Sequence, residues 1–420
     1  MTHDKQAFKQ AILDGYAFDS EAIVLGAAMQ QGEPERELYI RLPLQTFNRH
    51  GLIAGATGTG KTKTLQVLAE QLSEYGVPSV IMDIKGDLSG IAMPGVENDV
   101  ITQRHSAIGL PFNAQASPVE FLSVSKEPGV RLRATITELG PILLGKMLGL
   151  NHVQQGILAV VFKYCDDHAL PLVDLKDLKT VLSYVQTEIK DSFEKSYGAV
   201  PAASVGTITR AIVELEHQGA DTFFAEPSFD AKQHLPLLRD GKGVISILRV
   251  TDIQDRPKLF STFMLQLLAE IYQHYPEVGD VEKPKLVLFI DEAHLVFDEA
   301  SSALLDQLET MVKLIRSKGI GLFFVTQNPM DIPEVILSQL GMKIQHALRA
   351  FTAKDRKNIK LVAENYPHTD FYDVTALLTE LGTGEALVTA LDPKGTPTPL
   401  AQCYLRAPQS RMGVLTSQEL

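Results

Sequence analysis

The chain has 420 residues, of which 45% are hydrophobic, and its 39 Lys and Arg against 51 Asp and Glu give a formal net charge of −12. This composition excludes a wholly disordered chain, and the acidic balance argues against nucleic-acid binding over the whole surface. The two cysteines, Cys165 and Cys403, are too far apart for a CxxC motif, which excludes a disulfide scaffold or structural zinc site and fits a reducing cytosol.

The N-terminal region contains no targeting or membrane signal. Residues 1–6 lack the basic stretch and following apolar stretch of a signal peptide. No apolar run in the chain approaches the ~18 residues of a membrane span. We therefore expect a cytoplasmic protein without a membrane partner, in which residues 1–46 form a short segment before the main domain.

Residues 47–83 have the pattern of a strand, a glycine-rich loop, a helix and a second strand. The first strand is predicted over residues 47–54. The helix begins at Lys61, carries leucines on one face, and ends at Gly76. The second strand covers residues 79–82 and ends at Asp83. Such a βαβ unit implies a parallel sheet with a right-handed crossover.

The glycine-rich loop matches the P-loop pattern GxxxxGK[ST] in full. Its glycines allow consecutive backbone N–H groups to face phosphate oxygens, and the following helix directs its positive end at the same anion. We expect Lys61 to reach the β- and γ-phosphates of ATP and the Thr62 hydroxyl to bind Mg²⁺. The predicted ATP-binding residues are Gly55, Ala56, Thr57, Gly58, Thr59, Gly60, Lys61 and Thr62.

The α/β pattern is interrupted and then resumes. Residues 90–124 contain several prolines and are expected to be irregular, and residues 131–217 are almost purely helical in pattern. We therefore predict a helical subdomain inserted at about 125–217 into an α/β domain covering residues 47–408, with a loose C-terminal tail over 409–420. Further strands are predicted at 243–248, 286–290, 322–326, 344–351 and 385–389, and helices at 259–272 and 302–316.

The strand 286–290 ends in two carboxylates, Asp291 and Glu292. This places both at the carboxyl edge of a parallel sheet, where ligands bind. We expect Asp291 to hold Mg²⁺ and Glu292 to polarise the attacking water. Residues 291–294 spell the DEAH of a helicase box, but no second RecA-like domain is evident, and His294 is expected to pack or cap.

Gln327 and two arginines are further candidates. Gln327 follows the strand 322–326 and is expected to orient water beside the γ-phosphate, or else merely to cap the strand. Arg316 ends a predicted helix and either interacts with the helix dipole or acts as an arginine finger in a neighbouring subunit. Arg349, expected in mid-strand, is a weaker candidate for a phosphate contact. The basic cluster at residues 354–360 is expected to be a solvated helix face.

Together these motifs resemble the HerA–FtsK superfamily of P-loop motor ATPases, and more closely a bacterial group of HerA-like ATPases of unassigned function. The resemblance covers residues 48–408 and is carried by residues 51–62, 290–294, 316–320 and 325–329, joined by 83–90, 138–141 and 345–351. It implies a RecA-like core with a mostly parallel sheet and helices on both faces, MgATP hydrolysis, and hexameric rings that pump DNA. Only about 47 residues precede the P-loop strand, fewer than the N-terminal β-barrel of HerA-type pumps needs.

The leading hypothesis is an ATPase, with an oligomeric motor on nucleic acid as its more specific form. The alternative is a P-loop switch that binds a protein partner through its helical insert. A small-molecule kinase is disfavoured because no arginine-rich lid is evident and Asp291, Glu292 and Gln327 suit attack by water. A GTPase is disfavoured because the chain has no Asn-Lys-x-Asp motif. Residues 382–385 are either adenine contacts or an ordinary turn.

Overall fold

The computed structural model describes residues 2–235, 237–253, 256–299, 302–416 and 418–420. The strands are β1 (Ala22–Gln30), β2 (Glu33–Pro43), β3 (Gly51–Ala54), β4 (Ser79–Asp83), β5 (Val119–Ser123), β6 (Val130–Arg131), β7 (Leu238–Arg239), β8 (Lys242–Gly243), β9 (Ile245–Arg249), β10 (Leu286–Ile290), β11 (Ile320–Thr326), β12 (Met342–Gln345), β13 (Glu385–Thr389) and β14 (Ala401–Leu405).

The helices are distributed between these strands. They are α1 (Thr2–Gly15), α2 (Lys61–Glu74), α3 (Asp99–Ile108), α4 (Ile136–Met147), α5 (His152–Asp167), α6 (Leu175–Thr187), α7 (Lys190–Tyr197), α8 (Ala202–His217), α9 (Ala231–His234), α10 (Pro257–His274), α11 (Ala293–Glu299), α12 (Ser302–Leu314), α13 (Glu334–Leu337), α14 (Ala353–Glu364) and α15 (Val374–Glu380). Within the described ranges, none of them combines the length and apolar character needed to cross a lipid bilayer.

Twelve of the described strands form one sheet in the order β2-β1-β14-β13-β12-β3-β11-β10-β4-β9-β5-β6. The pairs from β12 through β3, β11, β10, β4, β9 and β5 to β6 are parallel. The pairs from β12 through β13, β14 and β1 to β2 are antiparallel. This mostly parallel sheet confirms the predicted α/β class.

The central strands are apolar throughout because helices cover both faces of the sheet. Neighbouring residues of one strand belong to different cores: Leu288 packs in the core that contains α10 and α12, whereas Phe289 packs with the leucines of α2. Leu52 and Ile53 of β3 divide in the same way. The central strands therefore consist of continuous apolar runs and do not alternate between apolar and polar residues.

The N-terminal residues add an edge to the sheet that the sequence pattern did not predict. β1 pairs with β14, so that Gly26 lies opposite Leu405. β2 then pairs with β1. Helix α1 packs against this edge through Phe8 and Ile12, which are fully or almost fully buried. Residues 1–46 thus contribute strands to the same sheet as the P-loop.

Two predicted strands are wrong in part. The segment before β3 is a 3₁₀ helix over Leu44–Arg49, followed by His50 with φ 62°, so the strand begins only at Gly51. The strand predicted over 344–351 stops at Gln345, because the chain then turns across the P-loop and the Ala56 N–H donates to the Ala347 carbonyl at 2.8 Å. Arg349 therefore lies in a loop, not in mid-strand.

Residues 90–124, expected to be irregular, contain α3 and β5. Local signals for α3 are present: the Asn98 side chain accepts from the Ile101 N–H at 3.0 Å at the start of the helix, and Gly109, with φ 74°, ends it. The nearby prolines obscured these caps. Helices α4 to α8 fill residues 136–217, within the range where the sequence indicates helices.

The C-terminal segment was expected to be loose but is held against α2. The buried carboxylate of Glu70 accepts from the backbone N–H groups of Gln409 and Ser410 at 2.8 and 2.9 Å, and from the Ser410 hydroxyl. The Gln66 amide donates to the Ser410 hydroxyl at 2.6 Å and to the Arg411 carbonyl. Both polar side chains lie on the face of α2 that an amphipathic pattern would leave to solvent, which is why the sequence did not reveal their partner.

Candidate functional site

The glycine-rich loop connects β3 to α2 and has a backbone that only glycine adopts readily. Gly60, directly before α2, has φ 115°, and Gly55 has φ 152°. A Cβ atom on Gly55 would lie 2.5 Å from the Cβ of His346. The two outer glycines of the motif are thus required by backbone conformation and by close packing.

Two segments that are distant in the sequence, at residues 346 and 384, form hydrogen bonds with the P-loop region. The His346 N–H donates to the Ala54 carbonyl at 2.7 Å, and the Gly384 N–H donates to the Thr59 carbonyl at 3.0 Å. The His346 ring Nε2 lies 2.8 Å from the Thr64 hydroxyl. Burial, with a smaller contribution from Lys61, lowers the pKa of His346 to about 4, so the ring is neutral at pH 7. Sequence reasoning missed His346 as a site residue, because the residue fell inside the strand predicted over 344–351.

Lys61 is the first residue of α2 and is only 7% exposed. Its Nζ donates to the Ala56 carbonyl at 3.2 Å, so it curls back over the loop. Burial lowers the pKa of Lys61, although the carboxylate of Glu292 opposes this shift. The next residue, Thr62, is half-buried in the first turn of α2. A buried ammonium at the positive end of a helix is suited to an anionic ligand.

The sheet brings the predicted strand-end residues to the same edge as the loop. β3 pairs with β11 so that Ala54 lies opposite Thr326, and β11 pairs with β10 so that Phe324 lies opposite Ile290. Gln327, Asp291 and Glu292 follow these strand ends directly. The P-loop, both carboxylates and the amide therefore meet at the carboxyl edge of three adjacent parallel strands.

Asp291 is 2% exposed, and its Oδ2 accepts no hydrogen bond from the described part of the chain. Burial, followed by the neighbouring Glu292 carboxylate, raises the pKa of Asp291 to about 7. A buried carboxylate oxygen that accepts no hydrogen bond is a candidate ligand for a cation. Its donor type and its place at the same carboxyl edge as the P-loop fit a hard divalent cation such as Mg²⁺.

Glu292 is held from several sides in a conformation with φ 46°. Its Oε1 contacts the Nζ of Lys85, and its Oε2 accepts from the Gln327 amide at 3.3 Å. The Nδ1 of His294 lies 3.2 Å from the same Oε2. Burial raises the pKa of Glu292, but the contacts with Lys85 and Gln327 outweigh burial and leave this pKa below its ordinary value.

Lys85 is a site residue that sequence reasoning did not select. It follows β4, where the Asp83 carboxylate accepts from the backbone N–H groups of Gly86, Asp87 and Leu88 and forms a tight turn. Since β4 pairs with β10 in parallel, this turn lies beside Glu292. Its place two residues after β4 is a weak signal, because many lysines lie in turns after strands.

A cavity of about 470 Å³ adjoins the loop on the side of Gln327. Ala56, Thr57, Gln327 and Arg349 line it together with residues of α14. Arg349 is thus brought next to the P-loop by the turn that ends β12. The basic side chains of α14 at positions 354, 356, 357 and 360 are exposed, in agreement with a solvated face.

Arg316 lies away from this group. It belongs to the 3₁₀ helix Ile315–Lys318 that precedes β11, whereas Gln327 follows the same strand. Because β11 has seven residues, its two ends are ~23 Å apart at the usual rise per residue, and Arg316 and Gln327 lie at opposite ends. The Arg316 side chain is 48% exposed, and its Nη2 lies 3.7 Å from the Asp280 carboxylate.

Comparison with known proteins gives one family and several relatives. A family model described as Helicase HerA-like C-terminal matches residues 28–420. The chain is 25% identical over 375 residues to the Probable helicase MJECL08 of Methanocaldococcus jannaschii, covering 81% of this chain and 63% of that protein. It is 22% identical over 354 residues to the DNA double-strand break repair helicase HerA of Sulfurisphaera tokodaii, covering 84% and 64%. The chain thus spans less than two thirds of either relative.

Solved structures of the same fold are more distant in sequence. The bacterial conjugative coupling protein TrwBdeltaN70 matches with a TM-score of 0.59 at 14% identity, covering 97% of this chain and 94% of that one. VirB4 of Thermoanaerobacter pseudethanolicus matches with a TM-score of 0.56 at 16% identity, covering 94% and 98%. A plasmid coupling protein TrwB in complex with ADP and Mg²⁺ matches with a TM-score of 0.56 at 14% identity, covering 95% and 98%. These likenesses confirm the predicted RecA-like α/β fold.

Proposed function

Because the chain belongs to the HerA-like C-terminal helicase family, we propose that it binds ATP with Mg²⁺ in its P-loop and hydrolyses it. The observation that supports this most is the meeting of a P-loop with Glu292 and Gln327 at one sheet edge, where the amide donates to the carboxylate at 3.3 Å. TrwB has the same fold, and its structure in complex with ADP and Mg²⁺ agrees with this proposal.

The binding step uses the loop, Lys61 and the two candidate cation ligands. The backbone N–H groups of Gly58, Gly60, Lys61 and Thr62 and the positive end of α2 would surround the phosphates. Lys61, now bonded to the Ala56 carbonyl, turns toward the β- and γ-phosphates. Thr62 and the orphaned Oδ2 of Asp291 would hold Mg²⁺, which neutralises the phosphate charge when bound.

The chemical step uses Glu292 as the general base for a water molecule. Its lowered pKa keeps the carboxylate ionised at neutral pH, as proton abstraction requires. The Gln327 amide, which holds one oxygen of Glu292, orients the same water. Lys85 neutralises the other oxygen and fixes its direction. Arg349 lines the adjoining cavity and is the weaker candidate for a phosphate contact.

We further propose that the working form is a homo-oligomer that translocates on DNA. The support is the family together with relatives named as DNA double-strand break repair helicases. The alternative is a switch that binds a protein through the helical insert, where Ile142 and Val153 of α4 and α5 are 73% and 63% exposed. The two proposals differ in what stimulates turnover.

The test measures ATP turnover with and without double-stranded DNA, and molar mass by light scattering with and without MgATP. For a motor we expect turnover to rise severalfold with DNA and a multimeric ring to appear with nucleotide. A monomer whose turnover is indifferent to DNA would contradict the motor and favour the protein-binding switch. In either case turnover itself tests the hydrolytic site.

Arg316 is proposed to act in trans, since its place at the opposite sheet edge prevents it from reaching its own site. Arg316→Ala is expected to reduce turnover by about 10³-fold, as loss of an arginine finger does. Mixing it with Glu292→Gln should restore part of the activity, because an intact Glu292 then faces an intact Arg316 across some interfaces. Arg36→Ala, whose side chain is 66% exposed, is the matched control and should keep full turnover. Mixed oligomers that stay inactive would argue against action in trans.

A further inference from the structure

A small cavity, here called the α3 pocket, lies between the first turn of α2, helix α3 and the end of β14. Its volume is about 170 Å³. Its lining includes Lys63, Val100, Ile101, Gly384, Leu405 and Met412. Two further basic side chains, Arg104 and Arg406, also line it, and the Nη1 of Arg406 donates to the Gln71 side chain at 3.4 Å. The rest of the lining is mainly apolar side chains and glycine backbone, which suits a flat ring better than it suits a cation.

The α3 pocket opens beside the P-loop at the end away from the catalytic carboxylates. It is bordered by Gly60 and Thr64, whereas the larger cavity is bordered by the beginning of the loop and Gln327. The lysine of a P-loop reaches the β- and γ-phosphates, and Lys61 interacts with Glu292. The γ end of a bound nucleotide therefore points toward Glu292, and its sugar and base leave the loop toward the α3 pocket.

One wall of the pocket is fixed by Arg104 of α3. Its Nη1 donates to the carbonyls of Gly384 and Leu405, and its Nη2 donates to the Thr383 carbonyl, each at 3.0 Å. Its guanidinium carbon also lies 4.0 Å from the centre of the Tyr404 ring. With these partners the guanidinium shapes the wall and is not directed at a ligand.

The same wall is bonded to the phosphate loop. The Gly384 N–H donates to the Thr59 carbonyl at 3.0 Å. A Cβ atom on Gly60 would lie 3.4 Å from the Gly384 nitrogen, so the two backbones are in contact. The pocket and the P-loop are therefore parts of one continuous surface, as a ligand that occupies both requires.

We propose that the α3 pocket binds the purine base of the nucleotide whose phosphates the P-loop holds. This rests on the proposed function, because the phosphates set where the base lies. Val100, Ile101 and Met412 supply apolar contact to the ring. None of the described residues that line the pocket carries a carboxylate that could select guanine.

The experiment fills the pocket and compares two ligands, ATP and inorganic tripolyphosphate, by titration calorimetry. Ile101→Trp, at a side chain that is 4% exposed, is expected to weaken ATP binding at least ~10-fold while tripolyphosphate affinity changes less than ~2-fold. Met412→Trp, at a side chain that is 41% exposed, fills the pocket from the other side and decides the outcome if Ile101→Trp does not fold. Val96→Trp, at an exposed side chain outside the pocket, is the matched control and should bind both ligands normally.

The possible outcomes separate this inference from the function on which it rests. Selective loss of ATP binding supports the base site. Unchanged ATP affinity in a folded filled variant overturns it, and so does an equal loss of both ligands, since the substitution then acts through the P-loop. If the unaltered protein binds neither ligand, the proposed nucleotide site itself is wrong and the base site falls with it.

Discussion

Glu292→Gln is expected to reduce ATP turnover by about 10²–10⁴-fold, the usual contribution of a positioned general base, while ATP affinity stays within about threefold. The carboxylate is buried next to the orphaned Asp291 and accepts from the Gln327 amide at 3.3 Å. Glutamine has nearly the same shape but cannot take a proton from water. Steady-state phosphate release measures the loss, and calorimetric titration with ATP measures the retained affinity.

A matched variant separates this effect from a general change of charge. Glu364→Gln removes one exposed carboxylate at the end of α14, far from Glu292 in sequence and outside the site, and should leave turnover unchanged. Circular dichroism would confirm that both variants are folded. Normal turnover in Glu292→Gln would reject its role as the base and require another group to activate the water.

Lys61→Ala is expected to weaken ATP binding by at least about 10²-fold, since charge-assisted bonds to phosphate are among the strongest that a side chain makes. Lys61 is 7% exposed, and the only hydrogen bond of its side chain to the described residues is to the Ala56 carbonyl at 3.2 Å. An alanine leaves the loop backbone intact but removes the ammonium group that lies over the loop. Titration with ATP in the presence of Mg²⁺ measures the change directly.

The control for this substitution is Lys195→Ala, which removes an exposed lysine from α7 in the helical insert. It should bind ATP as tightly as the unaltered protein does. If Lys61→Ala retained full affinity, the phosphates would have to lie elsewhere than in the loop. Loss of binding together with loss of fold, seen by circular dichroism, would call for Lys61→Met, which keeps most of the side-chain volume.

The site could be predicted wherever its residues directly follow a strand of the parallel sheet. Asp291, Glu292 and Gln327 were predicted from short apolar runs considered together with the P-loop, and the register of β10, β11 and β3 brings them together. The same reasoning applies to Lys85 after β4, but a lysine in a glycine-containing turn has no distinguishing pattern. Its contact with Glu292 spans 207 positions of the chain, and only the sheet order creates it.

Parts of the fold escaped prediction for a related reason. β1 and β2 are an antiparallel pair at the edge of the sheet, and β14, which joins them to the rest, lies in a proline-flanked stretch near the C-terminus. Their pairing joins the two ends of the chain. The local pattern of a strand does not predict its pairing partner, because it specifies which face is buried and not which strand is hydrogen-bonded to it.

The sequence by itself determined the P-loop, since a loop whose shape depends on glycine φ angles and on the helix that follows is encoded by adjacent residues. It likewise determined the apolar strands and the carboxylates at the end of β10. Only the tertiary structure decided that His346 and Gly384 brace that loop and that Lys85 holds Glu292. It also decided that Arg316 lies at the end of β11 opposite to Gln327 and that α3 and β14 border a pocket beside the P-loop. These contacts join residues that are distant in the chain, so they depend on strand order and packing, which no local pattern specifies.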